Sequence, residues 1–201
     1  MKIIAQSHYI EFITPFPLET IERIARTCYK SEGKICEGSA TKLVSNLIKR
    51  GHEAMIEHAY ATVRFITDRG VSHELVRHRL ASFAQESTRY VKYDGDMEFI
   101  LPVWHGCDMK SGRWQTACGT SEEDYKTMLE YGATPQEARQ VLNNSLKTEI
   151  VVTADFREWR KIFQLRTDKA AHPQMRALMI PLLRELQQKV PVVFDDIKVD
   201  E

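Results

Sequence analysis

The segment RHRLASFAQESTRY, residues 77–90, concentrates side chains that bind anions. Its three arginines and one carboxylate give a formal charge of +2 with the histidine neutral, in a chain whose net charge is zero. Arginine offers a planar fork of N–H donors that matches phosphate or carboxylate, and it stays charged at any physiological pH. Several such forks close together are unfavourable unless anions pair with them. The segment therefore predicts a binding site for an anionic group.

Hydroxyl and aromatic side chains lie between these arginines. Ser82, Ser87 and Thr88 can exchange hydrogen bonds with phosphate and ribose oxygens. The rings of Phe83 and Tyr90 offer apolar faces on which a planar ligand can stack. Together, these residue types predict a pocket for a phosphorylated, ring-containing small molecule.

Two other interpretations use the same residues. The cluster could be a solvated helix end, with Glu74 and His78 paired four residues apart. Against this, Arg139 and Arg166 lie inside amphipathic segments rather than in surface charge runs. It could also be a single-stranded RNA site, which uses arginines and aromatic rings. Against that, 28 basic residues are balanced by 28 acidic ones, and no long basic stripe is present. On the residues alone, the chain is a nucleotide or cofactor binder.

The composition is that of an ordinary folded chain. Its 201 residues can bury a sizeable core, and 43% apolar and 28% charged residues are typical of globular proteins. The four cysteines form no Cys-x-x-Cys pair, so reduced thiols are expected. No signal peptide and no run of about 18 apolar residues occurs. We therefore predict a cytoplasmic protein whose partners include neither membranes nor nucleic acids.

The familiar catalytic patterns are missing from the sequence. The segment GHEAMIEH, residues 51–58, lacks the His-Glu-x-x-His spacing of zinc sites, because Ile56 occupies the place of the second histidine. We therefore predict no metal site. No P-loop, dinucleotide-binding fingerprint or serine nucleophile elbow occurs either. The cysteines have no matched histidine signature, which gives little support for covalent catalysis.

Hydrophobic periodicity predicts helices and strands that alternate irregularly. Helices are expected over 17–31, 40–51, 70–84, 121–132, 134–146, 155–166 and 172–190, and strands over 2–14, 60–67, 97–104 and 148–154. Gly51 should end the second helix, Thr134 and Glu137 should form a capping box, and Pro181 should bend or interrupt the last helix. Residues 105–120 are expected to be a surface loop or insertion. The pattern favours one compact α+β domain over 1–201, with a mostly antiparallel sheet flanked by helices.

Five ordered segments resemble the flavin-dependent thymidylate synthases. RHRLASFAQESTRY resembles the family signature, an Arg-His-Arg followed by a spaced Ser-x-Arg-Tyr. The other segments are ARTCYKSEG at 25–33, GHEAMIEH at 51–58, EAR at 137–139 and ADFREWRKIFQLRTDKAAHPQMR at 154–176. Together they cover most of the chain, leaving 91–133 and the C-terminal tail without distinctive matches.

The resemblance implies a homotetrameric α+β enzyme that methylates dUMP to dTMP. It implies methylenetetrahydrofolate as the one-carbon donor and FAD, reduced by NADPH, as the hydride carrier. It also implies active sites that form where subunits meet. A nucleotide-binding module that kept this fold and lost turnover is the alternative from another class, and an RNA binder is a third.

The resemblance also implies roles for individual residues. The residues expected to bind FAD are Cys28, His52, Glu57, Arg77, His78, Arg79, Gln85, Asp155 and Arg157. The residues expected to bind dUMP are Glu74, Arg77, Gln85, Ser87, Thr88, Arg89, Arg139 and Arg166. Arg166 is further expected to polarise the uracil ring. A fixed cation there favours the N3-deprotonated ring and makes C5 a better nucleophile, so that no cysteine needs to attack.

Five positions depart from the commoner family pattern. Ala84 and Gln85 replace an Asn-Glu pair, Asp155 and Lys161 stand where asparagine is usual, and Ala54 replaces a hydroxyl residue. Gln85 can donate and accept hydrogen bonds but carries no charge, so its contact with FAD or dUMP is expected to differ in detail. Asp155 would either shift the potential of a nearby flavin or cap the helix that begins there, and capping is favoured.

Overall fold

The structure is a computed structural model, and it describes residues 1–199. In that part the chain forms six strands and seven α-helices, joined by loops and short 3₁₀ turns. The strands are β1 (Lys2–Ile4), β2 (Ser7–Ile13), β3 (Tyr60–Asp68), β4 (Ala81–Gln85), β5 (Glu98–Ile100) and β6 (Lys147–Asp155). The helices are α1 (Pro17–Thr27), α2 (Ser39–Lys49), α3 (Arg69–Leu75), α4 (Met109–Glu130), α5 (Pro135–Ala138), α6 (Phe156–Arg166) and α7 (Pro173–Lys189).

Four strands form one sheet in the order β2-β3-β6-β4, while β1 and β5 form a separate parallel pair. The Thr62 and Thr153 hydroxyls lie 2.9 Å apart, and Phe156 N donates to Ala59 O, so β3 and β6 run antiparallel. Both strands alternate buried with less buried residues over nine positions, as expected for a sheet with one covered face. The predicted α+β class with an antiparallel sheet is confirmed, and the parallel pair is an addition to it.

The chain divides into two compact units. Unit 1 comprises residues 1–7, 65–77 and 83–151, and unit 2 comprises residues 8–64, 78–82 and 152–199. Strands β3 and β6 contribute residues to both units. The single domain predicted over 1–201 stays a prediction, and its last two residues lie outside the described part of the chain.

The core of unit 1 is built on helix α4, whose first half was predicted to be a loop. Met97, Phe99, Cys118, Tyr125 and Leu146 are buried together there. The surface loop expected over 105–120 is therefore wrong for most of its length. The separate helix start expected at position 121 is wrong as well, because α4 is continuous from 109 to 130.

The inward face of α4 explains why periodicity missed this helix. Its buried positions include Ser111, Ser121 and Glu122, so the stripe that faces the core is too polar to stand out. Each inward hydroxyl is bonded: Ser111 Oγ accepts from Gly106 N at 2.9 Å, and Ser121 Oγ donates to Val141 O at 2.9 Å. Hydrogen bonds of this kind allow polar groups to lie in a core.

The core of unit 2 packs α1 against α2 and α6 against α7. The fully buried Trp159 of α6 also reaches β3, where its Nε1 donates to Ala61 O at 3.0 Å. Helix α7 continues through Pro181, so of the two predicted effects the interruption is wrong and the bend stays a prediction. Leu178, Leu182 and Leu186 on its core face are buried, and burying leucines at about 2 kcal/mol each outweighs the one hydrogen bond that proline removes.

The chemistry-bearing segment 77–90 is not helical. Helix α3 ends at Leu75, and residues 81–85 form the strand β4 next to β6. The helix predicted over 70–84 is wrong beyond Leu75, because burial in this stretch has the period of two that a strand requires. The capping box at Thr134 and Glu137 is confirmed, but the helix behind it ends at Ala138 rather than at 146.

Candidate active site

The C-terminal end of α2 fixes the position of His52. Gly51 has φ +72°, a left-handed conformation that glycine adopts without strain. Gly51 N donates to Ile48 O at 2.9 Å, and His52 N donates to Leu47 O at 2.8 Å. These two bonds end the helix in a Schellman motif, as expected for Gly51, and they hold the His52 backbone against the last turn.

A cavity of about 330 Å³ lies beside this helix end in unit 2. Leu43, Leu47 and Met55 give it mostly apolar walls. Two of the residues predicted to bind the flavin, Cys28 and His52, line the same cavity. Apolar walls with a few polar groups suit a planar aromatic ligand.

A second cavity, of about 520 Å³, opens over the first turns of α6. Most of its lining residues are charged, and they include three others predicted to bind the flavin, Glu57, Asp155 and Arg157. Arg157 Nη1 donates to Glu57 Oε1 at 2.6 Å, so the structure brings these two residues together as an ion pair. Arg157 and Lys161 are both exposed and would suit a phosphate, whereas the carboxylates in the same cavity would oppose one.

Asp155 is the N-cap of α6. Its Oδ1 accepts from Glu158 N at 2.8 Å, which satisfies one of the free N–H groups of the first turn. Burial raises the pKa of the Asp155 carboxyl, the hydrogen bond from the Glu158 backbone opposes this, and the charge of Glu57 adds to the rise. The capping interpretation is confirmed, and contact with a flavin stays a prediction.

His78 and Arg166 form the second close pair of predicted site residues in unit 2. Arg166 Nε donates to His78 Nε2 at 3.0 Å. The other ring nitrogen, Nδ1, lies 3.4 Å from Glu158 Oε1. His78 is only 5% exposed, and burial together with the positive charges of Arg166 and Lys161 lowers its pKa to about 4. The imidazole is therefore neutral at pH 7. Because His78 is buried, bonds to Arg166 and lies beyond the end of α3, the alternative in which it pairs with Glu74 on a solvated helix is wrong.

Glu158 is the residue of this group that the sequence did not single out. It is 2% exposed. On the same face of α6, Ile162 lies one turn further along the helix and Arg166 lies two turns further. A carboxylate at this spacing, on the face that carries a buried isoleucine, was the available signal. The prediction used the other charged residues of this segment and did not include Glu158.

In unit 1, Gln85 is bonded within the fold. Its Nε2 donates to Ser72 Oγ at 2.9 Å and to Thr148 Oγ1 at 3.2 Å. Arg69 Nη1 donates to the same Thr148 hydroxyl at 3.3 Å. The uncharged amide at position 85 thus connects α3 and β6, and a ligand would meet it already oriented by these two hydroxyls.

The turn after β4 carries three residues predicted to bind dUMP. Ser87 O accepts from the backbone N–H groups of Tyr90 and Val91, and Ser87 Oγ accepts from Arg89 N at 3.3 Å. Thr88 is buried, so of the two hydroxyls that of Ser87 is the more accessible. The Arg89 guanidinium lies 5.1 Å from the centre of the Tyr90 ring, a cation–π arrangement.

Arg89 approaches the segment that contains Arg139. Its Nε donates to Gln136 Oε1 at 3.3 Å, and Gln136 lies three residues before Arg139. Both arginines are exposed. The structure thus brings the 87–89 turn next to the segment of α5, as a shared phosphate would require.

The remaining predicted residues are Glu74, Arg77 and Arg79. Glu74 is in the last turn of α3 and half-buried, and Arg77 follows the helix with an exposed side chain. Arg79 is exposed as well and belongs to unit 2. Arg77 belongs to unit 1 with Arg89 and Arg139, and Arg166 to unit 2, so the convergence of all four on one ligand stays a prediction.

Two negative findings apply to residues 1–199. No group of three or more His, Cys, Asp or Glu side chains is arranged there to hold a metal ion. None of the helices in that range is both long enough and apolar enough to span a bilayer.

Comparison with known proteins identifies the family. Residues 11–192 match the family model described as thymidylate synthase complementing protein. The flavin-dependent thymidylate synthase of Geobacter sulfurreducens is 32% identical over 98% of this chain and 86% of its own length. The corresponding proteins of Corynebacterium efficiens and Pyrococcus furiosus are 34% and 31% identical over 90% and 92% of this chain, and over 79% and 78% of their own lengths.

A solved structure shares the fold. The crystal structure of the UMP/dUMP methylase PolB from Streptomyces cacaoi, bound with 5-Br dUMP, superposes with a TM-score of 0.84. The match covers 97% of this chain and 96% of that one at 20% sequence identity, and it supports the α+β fold. From the family model and the sequence identities, the chain belongs to the flavin-dependent thymidylate synthases, a family of enzymes.

Proposed function

We propose that this protein methylates dUMP to dTMP, with methylenetetrahydrofolate as the one-carbon donor and FAD, reduced by NADPH, as the hydride carrier. Membership of the family supports the reaction class, and the 5-Br dUMP bound to PolB supports the substrate. The observation that carries the proposal is the arginine Arg166, bonded through Nε to a buried neutral histidine. This bond holds the cation in a fixed orientation, as an electrostatic activator requires.

Arg166 would activate the uracil ring. A guanidinium beside the pyrimidine favours the N3-deprotonated form and so increases the electron density at C5. The bond to His78 is made by Nε, and it orients the plane of the guanidinium. Because activation is electrostatic, the reaction needs no thiol attack on the ring.

The phosphate of dUMP would be held by Ser87, Arg89 and Arg139. Exposed arginines and an accessible hydroxyl on neighbouring segments provide the donors that a phosphate monoester requires. Gln85 and Thr88 would contribute through the shape of the site, since Gln85 is hydrogen-bonded within the fold and Thr88 is buried. Glu74 and Arg77 complete the proposed set.

The flavin would use the two cavities of unit 2. The apolar walls beside Cys28 and His52 fit a planar ring, and Arg157 with Lys161 fits a phosphate. Arg157 would have to exchange its Glu57 partner for that phosphate, since it is paired with Glu57 at 2.6 Å. When bound, the flavin supplies the hydride that the methylation requires.

The proposal includes a homotetramer with active sites formed between subunits, and a cytoplasmic location. The tetramer is supported by the family resemblance. The location is supported by four cysteines that form no disulfide.

One experiment tests the proposed function. Purified protein is loaded with FAD and mixed with dUMP, and the flavin absorption spectrum is recorded before methylenetetrahydrofolate and NADPH are added. We expect a yellow protein, a spectral change on adding dUMP, and dTMP as the product. Failure to bind FAD would overturn the proposal. Binding of FAD and dUMP without dTMP formation would favour a nucleotide-binding module instead.

A further inference from the structure

We infer that Glu158 and His78 act as positioning residues for Arg166, with Glu158 fixing the tautomer of His78 and His78 fixing the guanidinium. The inference deepens the proposed function and rests on it only for the role of Arg166. The three side chains form a continuous line, with 3.4 Å between Glu158 Oε1 and His78 Nδ1 and 3.0 Å between His78 Nε2 and Arg166 Nε.

The bond between Arg166 and His78 requires one particular tautomer of the imidazole. An arginine Nε–H can only donate, so His78 Nε2 must present its lone pair. A neutral imidazole that accepts at Nε2 carries its proton on Nδ1. Were the proton on Nε2 instead, two N–H groups would face each other at 3.0 Å, and this hydrogen bond to the guanidinium would be lost.

Glu158 is the group that can hold the proton on Nδ1. Its side chain is 2% exposed, and its Oε1 accepts no hydrogen bond from any residue of the described chain. A buried carboxylate oxygen without a donor is unfavourable, and Nδ1 lies 3.4 Å from it. In the Nδ1–H tautomer, a small movement of either side chain would supply that donor. In metal sites and catalytic triads, a carboxylate orients an imidazole in the same way by accepting from its second ring nitrogen. Here an arginine takes the place of the metal or the serine.

The surroundings of this line keep the imidazole neutral. His78 is buried and faces the positive charges of Arg166 and Lys161 as well as the carboxylate of Glu158. Lys161 Nζ lies 3.7 Å from the other oxygen of Glu158 and balances part of its charge. All three charged groups are on α6, so the one helix carries both the arginine and the means of orienting it.

This role differs from direct contact with the flavin, which the family resemblance assigns to His78. At 5% exposure the ring has little surface left for a ligand, and its two nitrogens face Glu158 and Arg166. The residue would therefore affect turnover through Arg166, whereas loss of a flavin contact would first weaken FAD binding.

Steady-state kinetics of FAD-saturated variants separates the two roles. We expect His78→Leu, which has no acceptor, to lower kcat about 10- to 100-fold, the effect of losing one hydrogen bond to a charged group, with a change in KM for dUMP below about 3-fold. His78→Gln places an amide oxygen near Arg166 and should recover most of the loss. Glu158→Leu should lower kcat about 3- to 10-fold. Trp159→Phe, which removes a different buried hydrogen bond of α6, is the structural control and should change stability but not kcat.

The contrary kinetic outcomes are also defined. A His78→Leu protein with normal kcat once FAD is saturating, and with weakened FAD binding, would overturn the positioning role in favour of a flavin contact. Equal loss of kcat in His78→Leu and His78→Gln would overturn the need for an acceptor at this position.

Nuclear magnetic resonance tests the arrangement without any reaction. In protein labelled with ¹⁵N-histidine, the His78 signals, identified by their loss in His78→Gln, should show the proton on Nδ1 at pH 7. In Glu158→Leu, a mixture of tautomers should appear. A His78 ring with its proton on Nε2 in the unmutated protein would overturn the inference. Because this result does not depend on dTMP formation, failure of the proposed function and failure of the positioning role are distinguishable.

Discussion

Burial decides the charge of His78, the residue next to the proposed ring-activating arginine. Burial is the main cause that lowers its pKa to about 4, and the positive charges of Arg166 and Lys161 add to it. The carboxylate of Glu158 faces the same ring. A neutral histidine can accept from Arg166, whereas a protonated one would repel it.

The pH dependence of stability should report this group. The pKa of His78 is lower in the folded protein than its ordinary 6.5 in the unfolded chain. As the pH falls, the unfolded chain takes up the proton first, so the stability that His78 contributes is present above pH 6.5 and is lost as the pH falls towards 4. Between pH 7 and pH 5 the loss is about 2 kcal/mol. Urea unfolding at both pH values should show this loss in the parent protein, relative to His78→Gln. Equal pH dependence in the two proteins would contradict the lowered pKa.

A substitution at Ser87 tests whether its hydroxyl binds the phosphate of dUMP or acts as a nucleophile. We expect Ser87→Ala to raise KM for dUMP about 10-fold and to lower kcat less than 3-fold, because one hydrogen bond to phosphate is lost. Steady-state kinetics with varied dUMP measures both constants, and Ser82→Ala in the neighbouring strand is the matched control. An inactive Ser87→Ala enzyme with normal dUMP affinity would identify a nucleophile instead.

At the scale of elements, local signals were predictable and long-range ones were not. Gly51 and the Thr134–Glu137 capping box act within one or two turns of chain, and both were correctly predicted. The segment after Leu75 has helical composition, but pairing of β4 beside β6 decided its structure. The proposed site shows the same division. Its residue types were visible in the sequence, but the pair His78 and Arg166 is 88 positions apart, and no periodicity reports such a contact.

The first half of helix α4 was not predicted from the sequence, and its glycines allow the helix to be tested. Gly112 and Gly119 lie in its interior, and a Cβ at either position would meet nothing within 4 Å. Each Gly→Ala change should therefore raise the free energy of unfolding by about 0.5 to 1 kcal/mol, since alanine is the better helix former. Thermal or urea unfolding measures this. Gly132→Ala, at φ +87° just after the helix, is the control and should be destabilising. Destabilisation by the two interior changes would indicate a loop there.

At the scale of the whole molecule, the balance of charge limits what the arginines can attract. With 28 basic and 28 acidic residues, no long-range field draws nucleic acid, and the cations act only where the fold collects them. We therefore expect elution from a single-stranded oligonucleotide column below about 100 mM salt, which marks weak phosphate contacts only. Chromatography with a salt gradient checks this. Retention that depends steeply on salt up to several hundred millimolar would favour the RNA-binding alternative.

The central claim is that a positioned guanidinium replaces a thiol in activating the uracil ring, and Arg166→Ala tests it most directly. The measurement is dTMP formed by the FAD-loaded protein with dUMP, methylenetetrahydrofolate and NADPH, with bound flavin and unfolding followed in parallel. Arg184→Ala, which removes an exposed arginine from α7, is the matched control. The account predicts that Arg166→Ala stays folded and yellow but forms dTMP at least 1,000-fold more slowly, as expected for loss of a main electrostatic activator. Near-normal turnover in this variant would contradict it.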